Sequence, residues 1–345
     1  MFDNDEWIEI LLFLNSYTDY ISKANLIICF IGLFANTFHF LVLTRKYMRK
    51  LSINTFLAAI CFCDMTVMIC NIILAAPYYF RIKLEGTPFE CIPPISYWMM
   101  LFTKFIYSFF LFLQCCSIWY AVIMAVFRTV ILKNLMNPKY NRLSQSRYGI
   151  RAVLLVTLII LPFWFLSFAA TDIITLKVVW VAPKTCSNLP ENYTQEQYAF
   201  EFTNVFNQNY EYENKMILLY QGLLFKLLPS AILPVATCLL LWEIGKAKKR
   251  VGAKVTESET ESGTRRTKLV TFMTVSFLLT VLPLGLLYLA QVIVYDNITL
   301  TTILGIFTSI FQVLMVLNGT THMLICFFLS SQYRKVAKKM LGGFR

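Results

Sequence analysis

The chain has 345 residues, 58% of them hydrophobic and only 14% charged, with a mean hydropathy of +0.62 and a formal charge of +12. This composition excludes a water-soluble globular domain and defines an integral membrane protein. The basic excess speaks of membrane topology and anionic lipid, and no nucleic-acid partner is expected.

The opening residues, MFDNDEWIEI, are acidic and lack the positive leader of a cleavable signal peptide, so residues 1–23 read as an outer segment and the first span as the signal itself. Apolar runs long enough to cross a bilayer lie at about 24–44, 54–76, 97–127, 152–171, 216–242, 269–293 and 302–329, which predicts an all-α bundle of seven membrane helices. Short basic loops such as Arg45, Lys46, Arg49 and Lys50 alternate with acidic ones, which places the amino terminus outside. Asn36 in the first span and Asp64 in the second are polar groups in hydrocarbon, so Asp64 must face the bundle interior, with Asn36 its nearest candidate partner. A polar clamp between helices and a cation or proton site are both open readings of that pair.

The third span organises the rest. No charge interrupts it between Lys104 and Arg128, a rise of roughly 36 Å, so these cations sit at opposite membrane faces. Lys104, Tyr107 and Gln114 share a helical face near the outer end, while Arg128 and Lys133 mark the inner end. The fifth span, with Lys226 and two prolines, is the least regular.

Of ten cysteines, eight fall inside the spans, where thiols behave as small apolar groups. Only Cys91 and Cys186 lie in outer loops, and a single disulfide between them is the natural assignment. The second outer loop, roughly 172–215, is long and polar; it holds the sequon at Asn192, and the third outer loop holds another at Asn297. The third inner loop, KAKKRVGAKVTESETESGTRRTK, reads as a solvated, non-periodic segment whose Thr256, Ser258, Thr260, Ser262 and Thr264 suit a kinase and, once phosphorylated, an arrestin-type partner. Residues 331–345 form the tail, with a short amphipathic helix at 331–341 whose basic face suits anionic lipid.

The order of these features resembles a rhodopsin-class G-protein-coupled receptor: Asn36, Asp64, Arg128, Pro283 in the sixth span and a basic eighth helix. Within that class, SIWYAVIMAVFR, KLLPSAIL, FLLTVLPLG and above all NGTTHMLICFFLSSQYRK are similar to the nematode serpentine receptors of class W, a branch that resembles the FMRFamide and myosuppressin peptide receptors. The resemblance implies a plasma-membrane receptor for an extracellular peptide, coupled to a heterotrimeric G protein through Arg128, Asn36, Asp64, Phe277, Pro283, Asn318, His322 and Tyr333. A small environmental molecule is the alternative ligand.

Several positions depart from the class. Phe127-Arg128-Thr129 lacks the acid before the arginine, Thr280-Val281-Leu282-Pro283 lacks the aromatic toggle, and His322 opens HMLIC where the class has Asn-Pro-x-x-Tyr. Tyr333 replaces a phenylalanine at the eighth helix, and Cys91 lies further from Arg128 than is usual. Phe110 stands five turns above Arg128 where amine receptors need a carboxylate, so an amine ligand is disfavoured. The polar residues of the outer half, Lys104, Tyr107, Gln114, Tyr288, Gln291 and Gln312, suit carbonyl, amide or anionic groups. A transporter or channel would show repeated halves or a polar pore lining, and an enzyme would need a convergent catalytic set; with His39 and His322 the only histidines and no HExxH or Gly-x-Ser-x-Gly, neither an enzyme nor a cofactor or metal is expected.

Overall fold

The computed structural model describes residues 4–82, 91–134, 140, 142–186, 189–190, 192–203, 210–251 and 257–342; side chains are described within these except at 4–16, 77–82, 202, 210–214, 247–251 and 257–270. Seven helices are long and apolar enough to cross a membrane. They are α1 (Asn4–Leu43), α2 (Ser52–Ile82), α3 (Tyr97–Lys133), α4 (Ser146–Ala169), α5, α6 (Glu257–Ile293) and α7 (Ile298–Leu329), followed by the short α8 (Ser331–Gly342). α5 comprises Tyr210–Gly222, a π-helical turn at Leu223–Leu227, and Leu228–Val251.

The bundle is organised around α3, the most buried span, whereas α4 is the least buried and lies at the edge. α3 has enough small and polar side chains to be covered by neighbours on most sides, and Ser108, Gln114, Cys115, Cys116 and Ala125 are all buried. The main core gathers α1, α2 and α3 with Phe225 of α5, Cys326 of α7 and Tyr333 of α8; a second cluster joins Ile118 and Val122 to Leu233, Ala236, Phe277 and Val281. Glycines allow close approach at two seams. A methyl group on Gly285 of α6 would lie 2.8 Å from Lys226 Cβ on α5, and one on Gly319 of α7 would lie 3.0 Å from the Asp64 carboxylate on α2.

Three elements differ from the sequence reading. Residues read as a polar loop form an antiparallel hairpin, β1 (Thr171–Val181) with β2 (Thr194–Phe202), broken by a register shift between Leu176 and Val179. The run TDIITLKVVWV is rich in β-branched residues, and their preference for extended backbone prevails over the loop's overall polarity. α6 starts at Glu257, within the stretch read as a non-periodic loop; the acids Glu257 and Glu259 in its first turn suit the positive end of the helix dipole. Thr256 lies outside the described residues, and so do the side chains of Ser258, Thr260, Ser262 and Thr264. α1 runs for 40 residues, longer than the ~20 a bilayer needs, so helix extends back to Asn4 through most of the stretch ahead of the predicted first span.

The hairpin is held to the top of α3. Cys91 and Cys186 are bonded, with their Cα atoms 5.4 Å apart, Gln195 Nε2 donates to the Pro94 carbonyl at 2.8 Å, and Tyr198 meets Tyr97 edge-on. A long loop closed by a disulfide gains of order 2–4 kcal/mol. Either Cys91→Ser or Cys186→Ser is expected to lower the surface level of the protein, and the double substitution to be no worse than either single one; quantitative surface labelling of the three variants checks this.

Candidate functional site

Below the hairpin, the sequence-predicted ligand residues separate into two groups. Tyr107, half open at 51% exposure, lies within electrostatic reach of Tyr288, and Gln312 Nε2 donates to the Tyr288 hydroxyl at 3.2 Å, so α3, α6 and α7 bring these three together. The others face different partners. Lys104 Nζ donates to the Thr171 carbonyl and lies 4.4 Å from the centroid of Phe168, which ties α3 to the α4–β1 junction. Gln291 Nε2 donates to Thr308 Oγ1 at 3.0 Å, a link between α6 and α7. Gln114 is buried with no hydrogen-bond partner for Nε2.

Deeper in the bundle lies a cavity whose walls include Asp64, Ser117, Arg128, Phe277, Asn318 and His322. Ser117 Oγ donates to Asp64 Oδ1 at 2.8 Å, and His322 Nδ1 is 3.4 Å from Asp64 Oδ2, at ion-pair distance but without hydrogen-bond alignment. Asn36, expected beside this carboxylate, is engaged elsewhere: its Nδ2 donates to Met68 Sδ at 3.7 Å and its backbone carbonyl accepts from Cys61 Sγ at 3.1 Å. A carboxylate at membrane depth needs donors, and Ser117 supplies one to Oδ1, with His322 at ion-pair distance from Oδ2, where Asn36 supplies none.

Towards the basic end, the changed motif at Arg128 is absorbed by packing. Phe127 meets Phe56 of α2 edge-on at 5.1 Å, and Thr129 Oγ1 donates to the Ala236 carbonyl of α5 at 3.1 Å. Arg128 itself lines the cavity. On α6, Pro283 removes the N–H that the Leu279 carbonyl would accept, while Thr280 Oγ1 folds back onto the carbonyls of Ser276 and Phe277. Phe277 is buried against Ile118, Val122, Leu233 and Val281. The sequence offered no sign of the hydrogen bond between Thr237 of α5 and Thr274 of α6 at 2.8 Å.

His39 also went unassigned. Its Nδ1 lies 2.9 Å from the Tyr333 hydroxyl, both side chains are almost fully buried, and the pair locks α8 onto α1. A histidine in an apolar helix is an intramembrane ionisable group, and that alone marks it as a residue in need of a partner. Asn192 is exposed in the hairpin turn with φ of 60°, a conformation that asparagine tolerates, and the exposed Asn297 caps α7 by accepting from the Leu300 amide.

Seven apolar helices packed on a mainly apolar core that holds a few polar pairs, with a disulfide-anchored hairpin at one end and a basic amphipathic helix at the other, form a multi-pass membrane bundle, the architecture of the seven-helix, G-protein-coupled class. The chain belongs to the serpentine type 7TM GPCR chemoreceptor Srw family, whose family model matches residues 23–343. It is similar to the G-protein coupled receptor dmsr-1 of Caenorhabditis elegans, with 24% identity over 233 residues, covering 66% of this chain and 43% of that relative.

The Asp64 site yields a direct test. Gly319→Ala places a methyl group against the carboxylate and is expected to cost about 1–3 kcal/mol with loss of signalling. Gly305→Ala, on the same helix with nothing within 4 Å of the added carbon, is expected to be silent in both thermal unfolding and signalling.

Proposed function

We propose that the protein is a plasma-membrane receptor that takes an extracellular ligand between α3, α6 and α7 beneath the hairpin and activates a heterotrimeric G protein at its basic face, with the amino terminus outside. The observation that carries the reading is the cavity from Asp64 to Arg128, because Thr274 and Phe277 of α6 stand in its wall. A movement of α6 therefore changes the surroundings of Arg128, and the Thr237–Thr274 hydrogen bond opposes that movement. Ligand and G protein both bias one of two helix packings.

The ligand class supported by the resemblance is a neuropeptide of the FMRFamide-like type. Asp172, Glu196 and Glu201 are exposed on the hairpin and suit the basic groups of such a peptide. The family's description as chemoreceptors favours the second reading, a small environmental molecule. Asn192 and Asn297, exposed at the hairpin end, would carry glycans. Phosphorylation between Thr256 and Thr264 would add about −1.5 to −2 charge per site beside the G-protein face and recruit an arrestin-type partner, and the basic residues of α8 would rest on anionic lipid.

Arg128→Ala is expected to abolish G-protein activation at normal surface expression, whereas Thr274→Val, which removes an interhelical bond of about 0.6–1.4 kcal/mol, should raise basal activation roughly threefold to tenfold. Nucleotide exchange on membranes carrying each variant measures both. Unchanged exchange in Arg128→Ala overturns the coupling role. Replacing the five hydroxyl residues from Thr256 to Thr264 by Ala is expected to prolong the response after stimulation; a time course of the signal checks it.

A further inference from the structure

Lys226 is only 2% exposed and stands on the π-helical turn of α5, about 16 Å along the helix from Lys215 and so at membrane depth. The only hydrogen-bond acceptor that its ammonium meets among the described residues is the Met315 sulfur of α7, at 3.8 Å. A thioether is a weak acceptor. No carboxylate among the described residues comes within ion-pair distance: Asp64 on α2 accepts from Ser117 and lies at ion-pair distance from His322. A buried cation without a counter-ion is costly in the empty protein, and the fold nevertheless fixes this one firmly. Gly285 of α6 packs against its Cβ so closely that no larger residue fits, and the extra residue of the π turn sets its direction; such turns concentrate at functional positions.

The surroundings connect Lys226 to the open end. Cys115 of α3 is within electrostatic reach of it, and the same cysteine is within reach of Tyr288 and Tyr220, which in turn neighbour the half-open Tyr107. One residue from Cys115, Gln114 holds a second buried donor, Nε2, with no partner. Lys226 Nζ and Gln114 Nε2 are thus two buried donors that meet no oxygen acceptor among the described residues, in a part of the interior that also holds Tyr220 and Tyr288, and the positive charge of the first selects an anion among the groups that could satisfy them.

We propose that Lys226 is the anchor of the ligand site and that the ligand presents a carboxylate to it, with Gln114 as a supporting donor. The inference deepens the receptor reading above and does not depend on the peptide class. The carboxylate belongs to a small organic acid, to the free carboxyl end of a peptide, or to an acidic side chain; an amidated peptide can supply it only from a side chain. Binding then brings the missing counter-ion to a site whose desolvation is already complete, so little reorganisation opposes it.

The test is thermal unfolding of the purified full chain in lipid nanodiscs without G protein, so that its outcome is independent of the coupling experiment on Arg128. The probes are hexanoate, benzoate and a pool of short peptides ending in Phe with free carboxylates, each beside its primary amide. Acids are expected to raise Tm by several degrees and the matched amides by far less. The half-saturating concentration of the acids should rise at least tenfold in Lys226→Gln and Lys226→Met, and stay unchanged in Lys215→Gln. Small acids acting without peptide acids would identify a free organic acid, and the reverse a peptide terminus. Lys226→Met keeps the apolar stem, and its own Tm without probe reports whether the fold is retained. Equal shifts for acids and amides, shifts that persist in both Lys226 variants, or no acid-dependent shift at all would overturn the assignment.

Discussion

A polar group at membrane depth in this bundle can find a protein partner only inside it, because hydrocarbon supplies none. That constraint explains most of the interior. Asp64 draws Ser117 and His322 around it, His39 and Tyr333 satisfy each other across α1 and α8, and Gln291 meets Thr308. Each pair also fixes the rotation of two helices about their axes, since a side chain that must reach one atom cannot tolerate a turn of its own helix. The apolar contacts among α1, α2 and α3 supply bulk attraction, and the polar pairs supply register.

The contacts between α5 and α6 and at the basic end of α3 are of a more modest kind. α6 is interrupted by Pro283, its basic half is joined to α5 through Thr237 and Thr274, and its inner face packs Phe277 on small and branched side chains rather than on a large aromatic. The absent acid before Arg128 is replaced by apolar packing of Phe127 and by the Thr129 hydroxyl on α5. The junction of α3, α5 and α6 is therefore held in part by several modest contacts spread over the three helices.

The seven membrane helices were legible because hydropathy over some 20 residues is a strong, local signal, and the Cys91–Cys186 bond because compartment and elimination left one pair. What escaped reading depends on residues distant in sequence. The hairpin needed β1 and β2 to be weighed as partners across the turn at Asn192, although each alone looks like polar loop. The choice of Ser117 over Asn36 for Asp64 turns on helix rotation, which neither residue's neighbours encode. Tyr107, Tyr288 and Gln312 were recoverable as outer polar residues, yet nothing in their sequence context separated them from Lys104 and Gln291, which have the same chemistry and are engaged by β1 and α7 instead.

The π turn at Leu223–Leu227 has an implication for how such chains vary. A π turn holds one residue more than an α turn, so every residue beyond it on α5 is set back by about one α-helical step, about 100° and about 1.5 Å, relative to the same residues in an uninterrupted helix. Deleting a single residue there would turn the π turn into an α turn and leave Thr237 facing Thr274 and the Ala236 carbonyl facing Thr129, whereas winding the same residues as uninterrupted α-helix would swing both away. The π turn thus absorbs a difference in chain length: a relative lacking that one residue would present the same face of α5 to both neighbours, and position-by-position equivalence between the two chains would resume after a one-residue gap within 223–227.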